Sequence, residues 1–181
     1  MKYSQTIVLN NGSEALIRNA GASDGPAVYE LFNRVHAETD FLLSYPDENS
    51  HDPEQESRFL EEKAQNPREV ALLAVVDGRL AGTAMIEAVG TKDKVKHRAD
   101  FSISLLKEYW GLGLGKALAS ACIRCAEEAG YEQLELTAVA ENERALSLYR
   151  SLGFEEFGRN PRGFKPRSGR YQEVVSMLLR L

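Results

Sequence analysis

The chain has 181 residues, 43% hydrophobic and 27% charged, with a formal net charge of −5. That length gives one domain, residues 1–181, with a full core, and the composition is that of an ordinary globular protein. A net negative chain argues against a nucleic-acid binder. No apolar run is long enough to span a bilayer, and Met1-Lys2-Tyr3-Ser4-Gln5 lacks the apolar centre of a signal peptide, so the expectation is a cytoplasmic protein without nucleic-acid or membrane partners.

A strand over Glu14–Asn19 follows the turn at Asn11-Gly12. Ser23 or Asp24 is placed to cap a helix reaching Glu38, with Pro26 in its first turn and Val28, Leu31, Phe32 and Val35 at helical spacing. After a loop with Pro46, Asp47 and Asn49, a second helix runs from Asp52-Pro53 to Gln65 and stops at Asn66-Pro67. Val70–Val76 is a strong strand, and Asp77-Gly78 is a two-residue hairpin signal leading into a strand over 80–89. Residues 91–98 are polar and loop-like. A strand over 99–106, a glycine turn and a helix over 116–130 come next. They are followed by a strand over 131–138, a helix over 142–152, and extended structure from Gly153-Phe154. Basic, glycine-containing chain over 159–170 reads as a loop before a last strand over 171–179. This order is a mixed α/β sheet covered by helices.

Cys122 and Cys125 share an apolar stripe with Leu114, Leu118, Ala121 and Ala129 beyond the first turn of their helix. That position, and the lack of a second ligand pair, reads as two buried, reduced thiols rather than a redox or zinc site. His36, His51 and His97 have no metal-ligand spacing, and no metal is expected.

The most informative feature is the turn Gly111-Leu112-Gly113-Leu114-Gly115, set between a strand and a helix. Such a turn bares backbone N–H groups beside the positive end of a helix dipole, an anion site most often filled by a pyrophosphate. A P-loop is excluded because Ala117 follows Gly115-Lys116 and Trp110 occupies the first glycine position. A dinucleotide fingerprint is excluded because its second interval has one residue too few.

The run 103–118, Ile-Ser-Leu-Leu-Lys-Glu-Tyr-Trp-Gly-Leu-Gly-Leu-Gly-Lys-Ala-Leu, resembles the coenzyme A loop of the GCN5-related N-acetyltransferases. Gly113 and Gly115 match its last two fixed positions, and Trp110 replaces the usual Arg or Gln. Asn142, Ala145, Tyr149, Gly153 and Phe154 match that family's second cofactor motif without a gap, in the family's order and separation. The resemblance is strong from about residue 99 to 157. It implies an α/β (α+β) fold with a mixed, mostly antiparallel central sheet flanked by helices.

The resemblance further implies an N-acetyltransferase with acetyl-CoA as co-substrate, transferring the acetyl group by direct attack of a primary amine on the thioester. The phosphates then fall on the N–H groups of Leu112, Gly113, Leu114, Gly115, Lys116 and Ala117. The pantetheine arm lies along Ser104, Leu105 and Leu106, where the strand splays from its neighbour, and the Leu105 N–H polarises the thioester carbonyl. Asn142, Ala145 and Tyr149 stand on one helix face, at steps of three and four. By the same resemblance, the Tyr149 phenol, protonated at neutral pH, donates its proton to the leaving thiolate. The residues of this helix taken alone favour an amphipathic helix with a buried Tyr and a capping Asn, and it is the glycine loop in register that reverses that reading. Glu87 is the first choice of general base, with Asp100 and Glu135 as the others.

The region 38–62 is rich in acid and favours cationic acceptors, or is simply a solvated face. Phe41, Leu42, Leu43 and Tyr45 line a pocket there or anchor the loop. Arg159, Arg162, Lys165, Arg167 and Arg170 read as a solvated basic loop. The acceptor is a small-molecule or peptide amine, and the last strands offer a homodimer interface. The other reading is a non-catalytic acyl-CoA-binding or regulatory domain on the same fold.

Overall fold

Eight strands form one sheet in a computed structural model that describes residues 2–181. In chain order they are β1 (Ser4–Val8), β2 (Glu14–Asn19), β3 (Val70–Val76), β4 (Arg79–Ala88), β5 (Arg98–Leu105), β6 (Gln133–Val139), β7 (Glu155–Phe164) and β8 (Gln172–Arg180). The helices are α1 (Gly25–Glu38), α2 (Pro53–Gln65), α3 (Leu114–Glu128) and α4 (Glu143–Ser151). The spatial order is β1-β2-β3-β4-β5-β6-β8-β7, and every neighbouring pair is antiparallel except β5 with β6. The sheet is thus mixed and mostly antiparallel, as expected.

β3 is almost wholly buried because helices cover both its faces. Leu72 and Ala74 join the core under α3, with Leu118, Cys122 and Cys125, while Ala71 and Leu73 turn to α1 and α2 through Val28 and Leu60. At the hairpin after β3, Asp77 and Gly78 both adopt positive φ (49° and 75°), which lets Val76 pair with Arg79 across a two-residue turn. α2 begins as its sequence demands. Asp52 accepts from Glu54 and Gln55 N–H (2.9 and 2.8 Å), and Gln55 returns a contact to Asp52 N–H (2.8 Å).

Three expectations need correction. β1 was not anticipated: Ser-Gln-Thr-Ile-Val is a mostly exposed edge strand with no buried face to give it alternation. Neither Ser23 nor Asp24 caps α1 by its side chain. The Asp24 carboxylate instead accepts from Gly21 N–H and binds Arg18 through two contacts (2.7 and 2.8 Å), which hold its pKa below the usual carboxylate range. Part of the basic segment expected as a loop is strand: Arg159 to Phe164 completes β7, an edge strand where Pro161 and register shifts are tolerated.

Both cysteines are free and buried in α3. Burial pushes the Cys122 thiol far up and Cys125 to about 11, so neither is a thiolate at neutral pH. A thiol reagent should therefore leave both unlabelled for minutes in the native protein and label both at once in denaturant. Rapid native labelling would contradict the burial.

Candidate active site

α3 starts at the glycine turn, with Gly113 as its N-cap at φ 87° and no side chain capping it. The first intrahelical bond runs from Ala117 N–H to Gly113 O (3.1 Å). The Ala117 donor, expected on a phosphate, is therefore spent. The N–H groups of Leu114, Gly115 and Lys116 have no acceptor among the described residues, and they form an open cradle at the dipole's positive end. Gly115 keeps the cradle open in another way: a Cβ there would stand 3.2 Å from Leu105 Cδ1 and 3.4 Å from Leu148 Cδ2.

Two residues that sequence reasoning missed fix this turn. Asn10, at the tip of the β1–β2 hairpin, donates its N–H to Leu112 O (3.0 Å) and its Nδ2 to Gly111 O (3.4 Å). The Asn11-Gly12 signal located that hairpin but not what it touches. Arg144, a spacer in the second motif, lines the cleft with its guanidinium over the Trp110 ring (5.6 Å). Trp110 itself donates Nε1–H to Leu105 O (3.0 Å), tying the turn to the end of β5. That bond gives the indole a structural job where the family pattern has Arg or Gln.

β5 and β6 pair only from Arg98 to Asp100 against Gln133 to Glu135, then diverge. Leu106 N–H donates to Ala81 O (3.0 Å) and Val89 N–H to Arg98 O (3.2 Å), which sets the phase of the ladder. Even-numbered residues of β5 bond to β4. The backbone groups of Ile103 and Leu105 therefore face the opening. The Leu105 carbonyl is taken by Trp110, and its N–H points into the cleft. Leu106 does not reach the cleft, because its side chain is buried with Leu31 and Val35. Ser104 stays in it, with Oγ 3.2 Å from Thr83 Oγ1.

Tyr149 projects from α4 to this opening. Its ring packs edge-on to Phe101 (6.3 Å between centroids) and against Phe154 (5.8 Å). No hydrogen bond to its hydroxyl occurs among the described residues, and burial pushes its pKa up to about 12. Asn142 caps α4 by accepting from Ala145 N–H (3.2 Å), and Ala145 leaves space one turn before Tyr149.

Two cavities meet here. One, about 340 Å³, runs over the glycine turn between β5 and α4. The other, about 760 Å³, is a trough on the opposite side of the splay, floored by β4, β5 and β6 and walled by the α1–α2 loop and β7. Ile103, Ser104, Asn142, Ala145 and Tyr149 line both.

The three carboxylates considered as bases form a row across the sheet, Glu87 opposite Asp100 and Asp100 opposite Glu135. The row lies four residues from Ser104 along β5, roughly 13 Å from the junction of the cavities. Glu87 is not brought to that junction. It binds Lys63 Nζ (2.6 Å), which also binds Glu69 (2.7 Å). Glu135 is gripped by Arg98 through two contacts and by Gln133, which hold its pKa low. Asp100 has no hydrogen-bond partner among the described residues. Burial, then repulsion from Glu135, raises its pKa.

The acidic and basic segments, expected as separate solvated surfaces, meet at the mouth of the trough. Arg167 binds Asp47 (2.8 Å), lies over the Tyr45 ring (4.1 Å) and donates its backbone N–H to the Tyr45 hydroxyl oxygen (2.9 Å). Arg159 is held by Glu156 and Glu173. Among the described residues there is no cluster of three or more His, Cys, Asp or Glu able to hold a metal.

Residues 27–154 match the model of the acetyltransferase (GNAT) family. An acetyltransferase of that family from Streptococcus pneumoniae superposes with a TM-score of 0.89 at 32% identity, covering 92% of this chain and 99% of that one. The Salmonella typhimurium protein yncA, solved with its cofactor acetyl-CoA, gives 0.81 at 23% identity over 92% and 94%. The L-amino acid N-acetyltransferase AaaT of Escherichia coli K12 is 28% identical over 169 residues, 91% of this chain and 97% of its own. The chain belongs to the GNAT family of acetyltransferases. It is an N-acetyltransferase with acetyl-CoA as co-substrate, the class that its two motifs imply.

Proposed function

We propose that acetyl transfer occurs where the two cavities meet, by direct attack of a primary amine on the thioester carbonyl within a ternary complex. The observation that carries this reading is the convergence of the free Leu105 N–H and the unpartnered Tyr149 hydroxyl on one opening, beside the N–H cradle of α3. The cradle of Leu114, Gly115 and Lys116, with the Lys116 and Arg144 charges, holds the pyrophosphate. Leu105 N–H donates to the carbonyl oxygen as it gains negative charge. The neutral amine nitrogen forms the new C–N bond, the C–S bond breaks, and Tyr149 O–H gives its proton to the departing sulfur, while the proton that the new amide nitrogen sheds passes to solvent and an equivalent one returns to Tyr149. The ammonium form of the acceptor first loses a proton to water in the open trough, because Glu87 is occupied by Lys63 and its row stands too far for direct contact.

The same reading takes 1–181 as one catalytic domain on a continuous sheet, acting in the cytoplasm where acetyl-CoA is at hand. A homodimer would pair at the exposed β7 edge. Calorimetric titration tests the cofactor half: acetyl-CoA should bind with micromolar affinity while ATP and NAD do not. Equal binding of all three, or of none, would sink the assignment of the cradle.

A further inference from the structure

The acceptor trough carries a charge pattern with a direction. Its lining contains no lysine and no arginine. The two cations nearest its floor are already taken, Arg98 by Glu135 and Lys63 by Glu69 and Glu87. Its two histidines are engaged as well: His51 Nδ1 meets Glu56 (2.7 Å), and His36 stacks on Phe32 (3.7 Å), where burial lowers its pKa. Asp100 is left as a floor carboxylate with no hydrogen-bonded cation, only the more distant charge of Arg98 that Glu135 already binds, at the end of the trough where β5 and β6 are still paired. Ser102 and Ser104 continue the same face of β5 up to the splay.

Resting on the function proposed above, we propose that the acceptor is an aliphatic di- or polyamine, reacting at one end and held at the other by Asp100. The length fits. Four residues of strand separate Asp100 from Ser104, roughly 13 Å, and an extended spermidine spans about 11 Å between its terminal nitrogens at the ~1.2 Å per bond of an extended chain. Aromatic side chains along the walls, Phe41 among them, add favourable contact for the intervening ammonium and methylenes. The same pattern rejects amino acids. A carboxylate in this trough finds no free cation and lies against Asp100, a penalty built into the site rather than a missing attraction. On this point the chain parts from its relative AaaT, whose name specifies L-amino acids.

The test is a panel of acceptors with the full-length chain and acetyl-CoA, read by released thiol and by the mass of the product. Cadaverine and L-lysine differ only in a carboxylate. Butylamine lacks the second and third charges of spermidine. The expected result is a kcat/KM about 30-fold higher for cadaverine than for L-lysine, and about tenfold higher for spermidine than for butylamine. Asp100→Asn should shrink the spermidine advantage over butylamine to less than about threefold. L-Lysine matching cadaverine, butylamine or phenethylamine matching spermidine, an unchanged advantage in Asp100→Asn, or transfer only to a peptide N-terminus would each overturn the proposal while leaving the transfer reaction intact. Transfer to no amine at all would bring down the proposed function itself.

Discussion

Tyr149→Phe should lower kcat about 100-fold while leaving the affinity for acetyl-CoA unchanged. The first half follows from the size of general acid catalysis, typically 10²–10⁴-fold, when a positioned proton donor is removed. The second follows from packing. The ring keeps its contacts with Phe101 and Phe154, and the hydroxyl has no hydrogen bond among the described residues to lose. For the same reason the variant should fold as well as the parent, since the hydroxyl lines the opening and makes no bond within the fold that its deletion would break. The pH profile adds a second readout. Burial holds the Tyr149 proton to about pH 12, so the acid form persists across the whole working range. kcat/KM should then rise with pH as the acceptor ammonium, with a pKa near ~10.4 for an alkylamine, gives way to free amine, and no descending limb should come from Tyr149 below that point. Undiminished turnover in Tyr149→Phe would remove the phenol from the chemistry, and a fall in acetyl-CoA affinity of the same size as the fall in kcat would make its role structural.

Those residues were legible because each announces itself through spacing that a helix or a turn imposes. Asn142, Ala145 and Tyr149 fall on one face of α4, and Gly113 and Gly115 open α3. Strand and helix limits were close wherever a capping residue or a two-residue turn fixed them, as at Asp52 and at Asp77-Gly78. What stayed hidden were contacts between segments distant in the chain. Asn10 reaches the glycine turn a hundred residues away, and Arg167 reaches Tyr45 and Asp47 across the trough. Nothing in local pattern reports such a pairing. The carboxylate row shows the same limit. Glu87, Asp100 and Glu135 are equivalent as letters on three strands, and only the register reveals their alignment. Only the partners show that Lys63 and Arg98 occupy two of them and leave the third free. β1 was missed, and β7 was read as strand only in its first half, because an exposed strand has no hydrophobic alternation to show.

Gly113→Val should weaken acetyl-CoA binding roughly tenfold or more and leave kcat at saturation nearly intact. At φ 87° the backbone sits where a side chain clashes with its own carbonyl, and a left-handed residue costs ~1–2 kcal/mol, more when β-branched. Space around the position is not the problem, since the nearest atom to a Cβ would be Asn10 Oδ1 at 3.5 Å, an ordinary contact. The turn can relieve the strain by rotating φ to negative values, but this swings the N–H groups of Leu114 and Gly115 out of the cradle. Binding must then restore the strained form, and each ~1.4 kcal/mol so spent is a tenfold rise in Kd. Gly130→Val provides the matching control. Gly130 has φ 77° just past the far end of α3, with nothing within 4 Å of a Cβ. Both variants carry the same kind of strain and should lose several degrees of melting temperature, but only Gly113→Val should lose acetyl-CoA affinity. Equal losses of affinity would mean that the cradle reports the stability of the helix as a whole and that its N–H groups do not hold the pyrophosphate.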